Sequence, residues 1–294
     1  MQYHEYPPPP SLRPYVRCFW ALEAPAVPGG ALESSAEETV LPDGCTELIV
    51  HFGDRYRVRE ASRDPGGAPV APRVQSFAVV GGPIQRAIRL EPTGATGIVA
   101  ARFEPHGAAA FLRDSASRFT DRILDLESVC PVESRELIER VQSAGSEAGR
   151  LNALRGFLED RISKRAEARR SARASQRVAG DPAVQYAVDR IDASVGGVTL
   201  REIHDALGVS RRTLERRFAD VVGLSPKAYA QIQRLQAAVR TIEENPGASL
   251  AAAALGAGYC DQPHFCREFQ AIAGLSPTQY FRSKHEMGAS FAGS

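Results

Sequence analysis

The chain has 294 residues, with 36 lysines and arginines against 35 aspartates and glutamates, a net charge of +1. That balance gives no overall pull toward nucleic acid, so such a partner would have to be met by a local patch. Ordinary apolar and charged fractions, 43% and 24%, exclude a disordered or fibrous chain, and the length suggests two domains. No apolar run reaches the roughly 18 residues of a membrane span. The start, Met1 to Tyr6, lacks the basic and apolar regions of a secretion signal. A soluble cytoplasmic protein without a membrane partner is expected. Cys18, Cys45, Cys130, Cys260 and Cys266 are odd in number and scattered, which is no disulfide framework.

In chain order, Pro7 to Pro10 read as a stiff extended lead. Strand-like segments follow at 15–22, 46–52, 56–59, 77–80, 87–91 and 97–103, rich in β-branched and aromatic residues. Gly/Pro-rich breaks such as Asp64 to Gly67 separate them. Many short strands with such turns predict an antiparallel sandwich or barrel. Trp20, Phe52 and Phe77 are assigned to its core.

After Phe103 the pattern turns helical. His106 to Asp114 reads as a short helix, Val132 to Ser143 as an amphipathic one, and about Glu147 to Lys164 as a longer one. Leu151, Leu154, Phe157, Leu158 and Ile162 make a stripe on the last. Two readings stand: it packs on its own domain, or it joins two copies in a homodimer. Arg161, Lys164, Arg165, Arg169, Arg170, Arg173 and Arg177 face one acid, Glu167. That run is a solvated linker, and a second reading has it also attract a DNA backbone.

From Thr199 to Tyr280 the chain is written twice. Gly223-Leu224-Ser225-Pro226 returns as Gly274-Leu275-Ser276-Pro277, and the same shift carries Leu214 to Phe265, Arg216 to Arg267 and Phe218 to Phe269. Such self-similarity marks a repeated structural unit. Thr199 with Glu202 forms a capping box, Gly208 permits a turn, and Ser210 caps a second helix from Arg211 to Val221. In the second copy Ser249 caps, Gly258 turns and Asp261 caps. Each copy is a helix-turn-helix, whose second helix commonly enters the major groove. A helix from Ser225-Pro226 to about Glu244 joins them. About 20 residues at roughly 1.5 Å each span roughly 30 Å, close to the roughly 34 Å between successive major-groove faces.

Exposed positions of the two second helices are the candidate base readers: Arg212, Glu215 and Arg216 in the first copy, Gln262, His264 and Arg267 in the second. Arginine pairs with guanine, glutamine with adenine, and glutamate accepts from cytosine. Ser210, Arg211, Thr213 and Arg217 are candidate phosphate contacts. Leu214, Phe218, Phe265 and Phe269 are core.

The segment Arg234-Leu235-Gln236-Ala237-Ala238, then Gly258 to Phe265, Arg267, Phe269 and Gly274 to Pro277, resembles the AraC/XylS regulator signature. Val198 to Leu235 resembles that family's first helix-turn-helix. The resemblance, over roughly 180 to 285, implies seven helices, double-stranded promoter DNA as partner, and usually activation through RNA polymerase. Leu41-Pro42-Asp43-Gly44-Cys45-Thr46-Glu47-Leu48 resembles an LPDG-type N-terminal domain found ahead of such DNA-binding domains. It implies a sensor or assembly role with an uncharacterised small-molecule effector. Ala253 and Ala257 stand where the family usually has larger aliphatic residues, which predicts a looser second core.

The expected whole is an α+β chain. It has a β-rich sandwich- or barrel-like sensor over 1–120, a helical connector with a basic linker and dimerisation candidate over 121–178, and an all-α DNA-binding domain of two helix-turn-helix units joined by a long helix over 179–288. Two alternatives keep the DNA binding: a redox or alkylation sensor centred on Cys45, or an enzyme domain tethered to DNA. No Ser/His/Asp arrangement, phosphate loop or Cys-x-x-Cys pair appears, so no catalytic residue and no cofactor is assigned. Cys260, His264 and Cys266 do not converge from one helix, because the third points about 200° away from the second. Glu47 with His51, and Glu104 with His106, fall short of a cupin metal set, which needs a His-x-His. Cys18, Cys45 and Cys130 are too few for a four-cysteine repair site. No metal site is assigned.

Overall fold

The computed structural model describes residues 1–26, 37–59, 71–112, 114–171, 181–245 and 247–292. The Asp64 to Gly67 break, Arg173 and Arg177, and the side chains of Arg169 and Arg170, lie outside the described residues. Ten strands come first: β1 (Gln2–Tyr6), β2 (Val16–Ala24), β3 (Glu38–Val40), β4 (Glu47–His51), β5 (Tyr56–Arg59), β6 (Arg73–Val74), β7 (Ala78–Gly81), β8 (Ile88–Pro92), β9 (Thr96–Phe103) and β10 (Ile123–Asp125). They form two antiparallel sheets, ordered β1-β2-β9-β4-β7-β10 and β3-β8-β5-β6.

The alternation of each central strand feeds two cores. On β2, Phe19 and Ala21 face one way with Val99, Ala101 and Phe103 of β9. Cys18, Trp20 and Leu22 face the other way, with Ile98, Ala100 and Tyr56. The large sheet is therefore covered on both faces, which is why 96–103 reads as an almost unbroken apolar run. The small sheet covers one face.

Helices cover the other: α1 (Ala108–Phe111), α2 (Leu126–Val129), α3 (Pro131–Ser143) and α4 (Glu147–Ser171). Leu151, Leu154, Phe157, Leu158 and Ile162 of α4 are buried in the same core as Phe19 and Phe103. The stripe packs on its own sheet, as the first of the two readings has it. Residues 123–125 pair with β7 in the large sheet, so the segment read as a connector packs into the first body.

Two further expectations change. The proline run is not an extended lead throughout. It leaves β1, and Leu12 and Arg13 donate to Pro9 O in a turn. Phe77 is not core: it is 39% exposed, with the Arg55 guanidinium 4.7 Å above its ring. Trp20 is buried, and half-buried Phe52 packs under Arg150 at 3.8 Å.

Seven helices follow: α5 (Pro182–Ala193), α6 (Leu200–Leu207), α7 (Arg211–Val222), α8 (Pro226–Glu244), α9 (Leu250–Gly256), α10 (Gln262–Ala273) and α11 (Pro277–Ala292). Serine, threonine or aspartate caps and, in several, prolines in first turns set their starts. Asp181 accepts from Ala183 N at 3.0 Å, and Ser225 accepts from Ala228 N at 3.1 Å. No helix among the described residues is long and apolar enough to cross a membrane.

Candidate nucleic-acid interface

The first helical pair is α6 and α7. Thr199 Oγ1 accepts from Glu202 N at 3.2 Å, while Thr199 N donates to the Glu202 carboxylate at 2.8 Å, a complete capping box. Ser210 starts α7 by accepting from Thr213 N at 3.2 Å, and its hydroxyl lies 2.9 Å from that of Thr213. Leu214, Phe218, Val221 and Val222 turn inward to Ile203, Val184 and Val188. This leaves the opposite face of α7 to solvent at its N-terminal half. Arg212 and Arg216 are exposed there. Arg211 pairs with Glu215, one turn on, at 2.8 Å. Arg217 is elsewhere: its guanidinium lies 3.3 Å from buried Asp181 at the start of α5, so it joins two helices instead of standing free for a phosphate.

The second pair is α9 and α10. Ser249 accepts from Ala252 N, and Asp261 Oδ1 from His264 N at 2.6 Å. Pro263 falls in the first turn, where its missing N–H has no helical partner to lose. Phe265, Phe269 and Ala273 turn inward. The core here is aromatic. Rings of Tyr259, Phe265, Phe269 and Tyr280 follow one another at centroid distances of 5.3, 5.7 and 5.5 Å. Ala253, Ala254 and Ala257 are all buried. The expected looseness is not what the packing shows: small side chains on α9 accompany bulky rings from α10 and α11.

Gln262 and Arg267 are exposed. His264 is half-buried, its ring edge-on to Tyr259 at 5.3 Å. Cys260 is exposed and Cys266 half-buried.

One positioning residue was legible only through the repeat. The shift that carries Arg216 to Arg267 carries Arg217 to Glu268. Glu268 accepts from Tyr259 Oη at 2.7 Å and Gln231 Nε2 at 3.2 Å, and lies 3.8 Å from Arg234 of α8. The same helical position thus anchors each second helix to the helix behind it, with opposite charge.

The polar residues of the first body are also engaged. Glu47 accepts from Arg102 Nε at 2.8 Å and Trp20 Nε1 at 3.2 Å, and burial raises its carboxyl pKa. His51 shares that face of β4, fully buried, with Nε2 3.0 Å from Gln75 Oε1 and Nδ1 without a hydrogen-bond partner. Glu104 pairs with Arg17 at 3.3 Å. No metal-ligating cluster of three appears among the described residues. Cys45 is 4% exposed, and burial, then the neighbouring Asp43, push its thiol pKa well up. A thiol held protonated in this way is a poor nucleophile, which speaks against a sensor built on it.

Residues 203–283 match a family described as a helix-turn-helix domain, and residues 4–125 match one described as a domain of unknown function (DUF6597). Among curated proteins, 75 residues are 37% identical to the HTH-type transcriptional regulator MtrA of Neisseria gonorrhoeae, over 26% of this chain and 25% of that protein. Another 84-residue match, 32% identical, is to an uncharacterized HTH-type transcriptional regulator of Haemophilus influenzae, over 29% of this chain and 28% of that one. The chain thus spans about a quarter of the length of these relatives. Among solved structures, an apo ToxT variant from Vibrio cholerae aligns over 90% of this chain and 97% of its own, with a TM-score of 0.46 and 10% identity.

Proposed function

From the premise that this chain carries an AraC-type helix-turn-helix domain behind a DUF6597 domain, we propose that it is a transcription regulator that reads double-stranded promoter DNA in the cytoplasm. The observation that carries this is geometric. Two capped helices, α7 and α10, one before and one after the 19-residue helix α8 in the chain, carry exposed polar residues in their N-terminal halves. At roughly 1.5 Å per residue α8 is about 28 Å long, which suits two successive major-groove faces roughly 34 Å apart. One chain then reads an asymmetric site without a second copy.

In this reading Arg212 and Arg216 contact bases of one half-site, and Gln262, His264 and Arg267 those of the other. Glu215 reads a base only after releasing Arg211. Ser210, Arg211 and Thr213 sit at the helix start, where phosphates are met. Arg217 supports the first helix through Asp181. RNA polymerase is the further partner of an activator of this type. The β-rich body is the sensor of a small-molecule effector.

Footprinting with Arg212→Ala and Gln262→Ala tests the assignment. Each variant relaxes specificity in a different half of the site, at a cost of about 1–3 kcal/mol. Uniform loss of affinity at every sequence would remove the groove assignment. Ligand-screened thermal shift on the full chain tests the sensor, because an effector bound only by the folded state raises its stability.

A further inference from the structure

The two readers have separate cores. The first is built on Val184, Leu214 and Phe218, the second on Leu235, Phe265 and Phe269. Among the described residues, only α8 runs through both. Yet each core also takes a residue from the first body: Ala109 enters the first, and Leu41 and Ala87 the second.

Three loops of the first body make the connection. The turn 41–45 lies on α8. Gln236 Nε2 donates to Pro42 O at 2.6 Å and Gln233 Nε2 to Asp43 O at 3.2 Å. Gly44, at φ +80°, presents bare backbone to Tyr229: a Cβ there would lie 2.6 Å from Tyr229 Cε2. Asp43 is held from behind by Arg102, at 3.2 Å. The loop after β7 reaches both readers. Pro83 packs on Gly223 at the end of α7, and Ala87 N donates to Ile272 O at 2.8 Å near the end of α10. Around the short turn at 116–118, Ser115 Oγ donates to Asp220 Oδ1 at 2.8 Å, and the Thr120 hydroxyl donates to Gly223 O. Both reading helices are therefore gripped at their C-terminal ends and α8 at Tyr229, Gln233 and Gln236. Arg212, Arg216, Gln262 and Arg267, in the N-terminal halves, stay exposed.

We propose that this three-loop seat is a brace that fixes the mutual orientation of the two readers and so determines the half-site spacing the protein accepts. The inference rests on the DNA reading proposed above. Two linked binding modules reinforce each other only where their geometry lets both engage at once. A rigid frame confines that gain to one spacing, whereas readers joined by α8 alone accept several. Because the seat leaves the reading faces open, it selects among sites without blocking them.

The test uses the full chain. A duplex is enriched from a random library, then rebuilt with its two half-sites moved apart or together by one or two base pairs, and with each half-site alone. The wild-type chain binds the enriched spacing about tenfold or more tighter than the altered ones, the gain expected from simultaneous engagement. Gln233→Ala with Gln236→Ala flattens that preference to within about twofold, with half-site affinity unchanged, because only the link between modules is altered. Gly44→Ala, which drives a methyl into Tyr229, does the same by another route. Unchanged half-site binding shows in each case that the readers are folded. A spacing profile identical in wild type and both variants overturns the brace alone. Failure of the full chain to enrich any duplex overturns the DNA reading and the brace with it.

Discussion

The first reader buries Leu214 and Phe218 beneath a face of arginines, whereas the second buries Phe265 and Phe269 beneath glutamine, histidine and one arginine. Both start their second helix with a side-chain cap and end it on a left-handed glycine, Gly223 or Gly274. They differ in what stands behind the helix. Arg217 ties the first to Asp181 of α5, while Glu268 ties the second to Arg234 and Gln231 of α8. A copied unit thus preserves backbone geometry and capping, while the charge at one inward position decides which helix supports it. The first reader leans on α5, which the second does not share. The second leans on α8, which both share.

That difference can be broken most strongly in the cores. Phe269→Ala removes a fully buried ring in contact with Phe265, Tyr280 and Phe281, at about 3–5 kcal/mol. Footprints should lose the second half-site and, through Leu235, Ala238 and Val239 of α8 in the same core, weaken the first. Phe218→Ala costs about as much, but its core is shared with Val184, Val188 and Ile191 of α5, so the loss should stay with the first half-site. Equal, local losses from the two variants would contradict the asymmetry.

A pH titration isolates the readers from the first body. Burial holds the His51 pKa near 4, below its ordinary 6.5. Between those values the unfolded chain takes up a proton that the folded chain refuses, so stability falls as pH falls from 6.5 toward 4. Urea unfolding should show roughly 2 kcal/mol less stability at pH 5 than at pH 8 from this group, a loss that His51→Gln reduces. An acid sensitivity unchanged in that variant would place its origin elsewhere.

Smaller effects belong to the anchors. Arg217→Ala strands the buried Asp181 carboxylate, and Glu268→Ala strands the Tyr259 hydroxyl, each at about 1–3 kcal/mol. The first should soften only the arginine-rich half of the footprint. The second should soften the glutamine half and, through α8, the preference for spacing.

How far the sequence reveals this depends on the range of the interaction. The caps at Thr199, Ser210, Ser249 and Asp261 act within three residues, and all are visible as residue types at fixed offsets. The bounds of α8 follow from Ser225-Pro226 and Asn245 for the same reason. The central strands are visible because both their faces are apolar. β1 is not: Gln2 to Glu5 is exposed and polar, and it is a strand only because β2 offers it an edge. β10 needs β7 in the same way. Exposed Phe77 shows that an aromatic in a strand pattern need not be core when an arginine covers it. The seat of the 41–45 turn on α8 joins residues about 190 apart, and no local pattern announces it. Its one trace is the Leu41-Pro42-Asp43-Gly44 motif, legible as a resemblance but not as a contact. Arg217 and Glu268 carried a signal in the repeat itself, since the same position changes sign between copies.

We propose that one chain reads two unlike half-sites one helical turn apart. Hydroxyl-radical footprinting of the full chain on its enriched duplex tests it most directly. Two protected patches are expected on one face of the DNA, about 10 base pairs apart, with different sequences and one chain per duplex. A single patch, or a palindrome bound by two chains, would contradict it.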